Sequence, residues 1–472
     1  MRNKFTVIWI WLFLVPLALD FKGSEDASSH LTQILLVAPC VGAGCLLLLI
    51  APRFEHRSHM RKLVTFGMFA TIVGSAFTQA LQGNDFGNYL RVLLPFLLFF
   101  LGYFVACHPW SDVRLAQIEK ALFWAMVISL AFSFAYGVAT GGGLDKVRFR
   151  IVSVTFLGLQ AILLHEFVVA RRHPRFALAL FIATLVIELL SVTRSLLLGT
   201  ALLFVLATWL SAPSLRHLLR AATRAIVMGM LVAVTVAGVA ALMPSVSAHW
   251  VQRIFASKET EAGVDPTTIT RLAEIKNQYD QVTSSTVSLL AGEGYGHAYR
   301  YSPSYLPDLL GQMSAKDFFS IHEWVAGHNF WVYQLFAGGL LFGIGMPLAI
   351  VYALYKASLA HREWRRRMPN LLYLPVLGRA ILLLAALPAT SIGGNPLGPR
   401  FSGLIFGVAL GLVVATYARI AQTLRVRAAR HVRRPRSAPV MSPAPPSWPA
   451  GNLDGHSGVA QLPHGLHGEA RS

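Results

Sequence analysis

Three polar residues sit beside or between apolar blocks of the sequence: Arg194 in SVTRSLLLG, Arg271 in TITRLAEIKNQYD and His328 in GHNFWVYQLF. A guanidinium offers a fixed fork of donors that matches phosphate oxygens. Two of them on one surface would suit a diphosphate. An imidazole is the side chain best placed to accept a proton near neutral pH. Each residue also has a plainer reading. Arg194 could be an interfacial arginine reaching for headgroups, Arg271 a solvated helix face, and His328 a histidine at a helix end. His322 and His328 do not make a zinc pair, because the i,i+4 spacing and a third ligand are both missing. No metal and no cofactor are expected.

Around these residues lie secondary candidates. Arg91 precedes an apolar block, Asn329 follows His328, and Gly292, Gly294 and Tyr295 belong to the run GEGYG. That run is no phosphate loop, since it lacks a following Lys-Ser/Thr and a preceding strand. It licenses tight turns that bring backbone close to a ligand or to another helix. Loop carboxylates such as Glu293 and Glu323 compete with His328 for the role of base. Downstream, Gly339 and Gly343 form a small-xxx-small step that permits close helix packing.

The elements that must hold these groups are apolar. The chain is 55% hydrophobic and 13% charged over 472 residues, against roughly 25% charged in soluble domains. Its apolar residues come in blocks near the ~20 needed to span a bilayer. The fold class expected is all-α, a polytopic transmembrane bundle of about twelve spans. They fall at 5–20, 31–51, 63–82, 89–107, 118–138, 151–170, 176–193, 195–211, 225–243, 328–355, 371–390 and 401–420. Nine spans fill 1–243, one large outer loop or cap fills 244–327, and three spans fill 328–420. Residues 421–472 read as a basic, Pro-rich, disordered tail. A β-barrel would need short alternating segments instead.

The formal net charge is +19. The cations gather at the ends of apolar blocks and in the tail, which points to anionic headgroups and away from nucleic acid. Every second short loop is basic: Arg53, Arg57, Arg61 and Lys62 follow the second span, and Arg365, Arg366 and Arg367 follow the tenth. The positive-inside rule then sets both termini in the cytoplasm. Arg194, Arg271 and His328 fall on the opposite side. One outer loop breaks the pattern, with Lys146, Arg148 and Arg150; Arg400 is a further outward cation. Cys40, Cys45 and Cys107 have no metal-ligand spacing and read as packing residues.

Together these motifs resemble the O-antigen ligase/polymerase superfamily of integral membrane glycosyltransferases. The resemblance rests on the TRS turn at 191–199, on the Arg-headed helix leading to GEGYG, and on His-Asn ahead of a Gly-rich apolar helix. It covers roughly residues 185–350. Ligases of that kind often carry an acid where this chain reads Phe336-Ala337-Gly338. The resemblance implies transfer of a glycan from a polyprenyl-diphosphate carrier at the periplasmic face of the bacterial inner membrane. The acceptor would be lipid A-core or another glycan. Arg194 and Arg271 would bind the diphosphate, and His328 would take the acceptor's proton. The competing expectation is a transporter or flippase for a lipid-linked glycan, which calls for polar or broken helices near mid-membrane.

Overall fold

The computed structural model describes residues 2–20, 27–54, 56–139, 153–172, 174–212, 215–255, 263, 265–309, 314–320, 323–399 and 401–433. The chain divides into two units, Met1–Thr423 and Leu424–Ser472, and of the second only the end of one helix is described. Lys146, Arg148, Arg150, His322, Arg400 and the tail expected to be disordered beyond residue 433 lie outside the described residues.

In chain order the helices are α1 (Arg2–Ala18), α2 (Ala27–Leu49), α3 (His59–Gln82), α4 (Phe86–Cys107), α5 (Asp112–Ala139), α6 (Ser153–Leu164, extended by a π turn), α7 (Arg175–Leu190) and α8 (Arg194–Ser211). They continue with α9 (Leu215–Leu242), α10 (Pro244–Ile254), α11 (Pro266–Val282), α12 (Thr286–Ala291), α13 (Ala315–Ser320), α14 (Phe330–Gly338), α15 (Gly345–Arg367), α16 (Leu374–Thr390) and α17 (Ser402–Arg433). Among the described residues there is no strand, and an isolated bridge joins Tyr299 to Trp324. The all-helical expectation holds.

Among the described residues, five helices are long and apolar enough to cross a membrane: α3, α4, α5, α8 and α17 as far as Arg427; the total reaches seven if two bent pairs each make one crossing. Helices stand on all twelve segments expected as spans, but several are shorter apolar pieces, such as Leu374–Thr390. Phenylalanines at 5, 66, 69 and 77 face outward, as side chains against lipid tails would.

The packing is close where glycine removes a Cβ. Gly403, Gly407 and Gly411 lie four apart on α17 and therefore share one face. A Cβ at Gly403 would come 1.9 Å from the Pro95 carbonyl oxygen, and one at Gly407 would come 2.1 Å from that of Phe99. So α17 lies directly on the backbone of α4. Around them, α6 packs on α8 and α16, and α3 on α15.

The span expected at 328–355 is not continuous. α14 and α15 meet at a bend of 89° across a π turn at Gly339–Gly343. Gly339 has φ +58, which a side chain disfavours, and a Cβ there would come 2.4 Å from the Leu290 carbonyl oxygen. The Gly339–Gly343 step thus admits a loop and a kink where close helix packing was expected. The break frees carbonyls that must be satisfied, and the GEGYG run does so: the N–H of Glu293 donates to Phe336 O (2.8 Å) and that of Gly294 to Ala337 O (3.0 Å). A second bend, of 115°, lies at Met243–Pro244, where proline cannot continue the helix hydrogen bonds.

Among its described residues, the segment 244–327 contains α10 to α13 and two 3-10 turns. Expected helix-like spacing over Thr270–Leu290 appears as α11 and α12. Asp265 caps α11, Pro266 occupies its first turn, and Ile269, Ala273 and Val282 form its buried stripe. Two further members of that stripe are polar: Glu274 and Gln278.

Candidate functional site

The candidate site is assembled on α11. At its N-terminus, Asp265 accepts from the N–H of Thr268 and also holds Arg194, with Nη2–Oδ1 at 2.6 Å. Arg194 is the first residue of α8, and the preceding turn is forced tight enough to give Val192 φ +47. Two turns along α11, Arg271 Nη1 donates to Glu274 Oε2 at 3.2 Å, an i,i+3 pair. Glu274 in turn clamps His328. Its Oε1 accepts from the His328 backbone N–H (2.7 Å), and its Oε2 lies 2.9 Å from His328 Nδ1.

Glu274 is 1% exposed, whereas the side chains of Arg194, Arg271 and His328 are each about a third exposed, at 38%, 34% and 35%. A buried carboxylate therefore presents partly open cations and an imidazole. Tyr299 Oη lies 3.0 Å from Glu274 Oε1 and 2.9 Å from Ala326 O, and Gln278 Nε2 donates to the same Oε1 at 3.3 Å. Burial alone would raise the Glu274 carboxyl; hydrogen bonds from His328 and the charges of His328 and Arg271 outweigh it and hold it below the ordinary carboxylate range. Burial, reinforced by the Glu274 charge, pushes the Tyr299 phenol up, so it stays protonated.

An ionised carboxylate can only accept. When the imidazole is neutral, the proton between it and Glu274 therefore sits on Nδ1, which leaves the lone pair on Nε2. No hydrogen-bond partner engages Nε2 among the described residues. A neutral imidazole held in this tautomer is a base.

His328 is also fixed from behind. Asn395 Nδ2 donates to Gly327 O at 2.9 Å, and Asn329 caps α14 by accepting from the N–H groups of Trp331 (3.0 Å) and Val332 (3.2 Å). Asn329, a candidate by its place beside His328, thus caps the helix through Oδ1. The other expected binding residues divide in the same way. Gly292, Gly294 and Gly296 all have positive φ, and a Cβ at Gly292 would come 2.6 Å from the Ala337 carbonyl oxygen. Tyr295 is fully buried with its hydroxyl on Gln334 Oε1 (2.9 Å). This run is a wedge in the broken helix, locked by Gln82 and Asn84 through the Gly292 and Glu293 carbonyls. Arg91 is exposed on α4, one turn beyond the Asn88–Tyr89 backbone on which Gly296 rests.

Neither carboxylate first weighed as a competitor reaches His328. Glu323 pairs with Arg300 (2.7 Å), and the Glu293 side chain approaches His297 at 4.0 Å. Sequence reading missed Glu274, Asp265 and Tyr299. One signal was available for the first: an acid inside the apolar stripe of an amphipathic helix, three residues after an arginine. Among the described residues, no group of three or more His, Cys, Asp or Glu is placed to hold a metal ion. No protein-family model matches the chain, and no curated protein matches it significantly.

Proposed function

We propose that this protein is a membrane-embedded glycosyltransferase of the O-antigen ligase/polymerase kind. It moves a glycan from a polyprenyl-diphosphate carrier to an acceptor hydroxyl at the periplasmic face of the inner membrane, in lipopolysaccharide or exopolysaccharide synthesis. The observation that carries this reading is the His328–Glu274 pair, set on the same helix as Arg271 and, through Asp265, linked to Arg194.

In this mechanism His328 Nε2 takes the proton of the acceptor hydroxyl as its oxygen attacks the anomeric carbon. The bond from that carbon to the diphosphate oxygen breaks on the opposite side, and the configuration inverts. Glu274 stabilises the imidazolium that forms, as a carboxylate does behind any catalytic histidine. Arg271 engages Glu274 through Nη1; the outer side of its planar fork faces the leaving diphosphate. Along α11 the Asp265 and Glu274 contacts are nine residues apart, about 13 Å at ~1.5 Å per residue. The diphosphate therefore lies toward Arg194 and the acceptor hydroxyl toward His328.

The test is the surface glycan of a deletion strain complemented with wild type or His328→Ala. Full-length chains accumulating on the carrier with bare lipid A-core identify a ligase, and single repeat units in place of long chains identify a polymerase. An unchanged glycan profile removes the reading. A lipid-linked glycan transporter is the second reading, favoured by the 89° break between α14 and α15 and by the buried Glu188, which accepts from Gln160 (3.0 Å) and Thr200 (2.9 Å). It requires lipid-linked product to build up on the cytoplasmic side, and it is indifferent to the tautomer of His328.

A further inference from the structure

A second feature lies at the other end of α3, among residues the glycosyl-transfer reading does not use. A cavity of about 440 Å³ is walled by Phe54, Phe66, Phe69 and Phe104, with Arg61 and Lys62 at one end. On α3 the lining residues fall at 61, 62, 65, 66 and 69, a single helix face. From Arg61 to Phe69 the face runs about 12 Å along the axis. Phe66 and Phe69 are largely exposed on it, at 72% and 56%.

The cationic end is built. Arg61 Cζ lies 4.0 Å over the Phe54 ring, and His108 stacks on Phe54 at 4.3 Å and is tied through Nδ1 to Pro52 O at 3.0 Å. One Arg61 nitrogen donates to His56 O at 3.2 Å, while Nε is buried with no hydrogen-bond partner among the described residues. Lys62 is exposed beside it. No carboxylate lines the cavity among the described residues. The run 53–62 carries Arg53, Arg57, Arg61 and Lys62 against the single acid Glu55.

We propose that this groove binds one anionic diacyl phospholipid. The headgroup phosphate sits against Arg61 and Lys62, and an acyl chain runs down the phenylalanine face toward Phe69. An apolar trough about 12 Å long that ends in two cations has the polarity of such a lipid and of no soluble anion. Basic pockets between membrane helices on the cytoplasmic side hold acidic headgroups by the same physics. The site rests on the membrane-embedded reading and is independent of glycosyl transfer.

The full-length protein, purified in detergent and stripped of lipid, is titrated with dioleoyl phosphatidylglycerol, dioleoyl phosphatidylcholine or inorganic phosphate, and native mass spectrometry counts what is retained. One phosphatidylglycerol should be held about 25-fold more tightly than phosphatidylcholine, about fivefold for each of the two cations, and phosphate alone should not compete. Lys62→Gln, on an exposed side chain that folding does not need, should lower that preference about fivefold; Arg61→Gln should lower it further. Equal retention of both lipids, competition by free phosphate, or an unchanged preference in Lys62→Gln and Arg61→Gln together would each overturn the proposal. Wild-type glycan synthesis is expected from Lys62→Gln, so loss of the lipid site and loss of the transferase reading give different results. A chain that stays soluble without detergent would remove the membrane reading itself.

Discussion

Glu274→Gln tests the chemistry at a cost to the fold confined to the buried charge and its pair with Arg271. The substitution keeps the shape and one acceptor oxygen, which can still take the His328 backbone N–H and the Tyr299 hydroxyl that Oε1 takes now. The amide nitrogen then replaces Oε2, 2.9 Å from His328 Nδ1. An amide NH₂ can only donate there, so Nδ1 must become the acceptor and the proton moves to Nε2. The lone pair is then on the wrong nitrogen. In Ser-His-Asp triads the same carboxylate-to-amide change lowers kcat about 10⁴-fold, and general-base catalysis is worth about 10²–10⁴-fold. A loss in that range is expected here, about 2.7–5.4 kcal/mol of barrier at ~1.36 kcal/mol per decade. The assay is single-turnover glycan transfer in proteoliposomes, with carrier-linked donor saturating, and membrane abundance and thermal midpoint as controls. Glu274→Ala would confuse the result, because it removes the acceptor of the His328 backbone N–H, at about 1–3 kcal/mol, and leaves Tyr299 with the Ala326 carbonyl alone. A Glu274→Gln protein that transfers at the wild-type rate would refute the tautomer argument and remove His328 as the base.

Other outcomes follow from the same geometry. His328→Ala and Arg194→Ala should each abolish transfer while leaving membrane abundance unchanged. Arg271→Lys should retain little activity, because a point charge cannot reproduce the planar fork shared between Glu274 and a phosphate; wild-type activity would take Arg271 out of the leaving-group site. The depressed Glu274 carboxyl stabilises the folded site at pH above the ordinary carboxylate range, and that contribution disappears as pH falls through its lowered value. Acid opening of the His328 contact, followed by Trp324 fluorescence, should therefore occur below the ordinary carboxylate range. Arg300→Ala removes an exposed pair with Glu323, whose side chains are 62% and 50% accessible, and should shift stability by no more than about 1 kcal/mol.

Much of the framework was legible because hydropathy and glycine spacing are local. Apolar blocks located the helices, and the spacing over Thr270–Leu290 anticipated α11 and α12. Arg194, Arg271 and His328 were visible as polar residues set against apolar runs. Their connection was not, because Asp265 and Glu274 act across 71 and 54 residues of sequence. No periodicity encodes a partner that far away. The break at Gly339 was hidden for a related reason. A hydropathy window counts apolar side chains and is blind to carbonyls that lose their helix partners, and Phe336 and Ala337 are apolar whether their carbonyls bond along the helix or to the loop. The capping role of Asn329 was not legible, because a side chain beside a candidate base and a side chain capping a helix share the same composition.

That break carries the last prediction, which separates structural support from chemistry. The loop at 292–296 fills the gap between α14 and α15, and α14 begins one residue after Asn329, directly behind His328. Gly292→Ala must place a methyl 2.6 Å from the Ala337 carbonyl at φ +83. Such strain costs on the order of 1–3 kcal/mol, and the methyl overlap adds to it. The loop would lift, the N–H groups of Glu293 and Gly294 would leave the Phe336 and Ala337 carbonyls, and α14 would lose its seat. Activity should fall in step with thermal midpoint and membrane abundance. Glu274→Gln should lose far more activity than its change in thermal midpoint accounts for, with membrane abundance preserved. If Gly292→Ala instead weakened donor binding at unchanged stability, the glycine run would be contacting substrate, and the wedge role assigned to it would have to be given up.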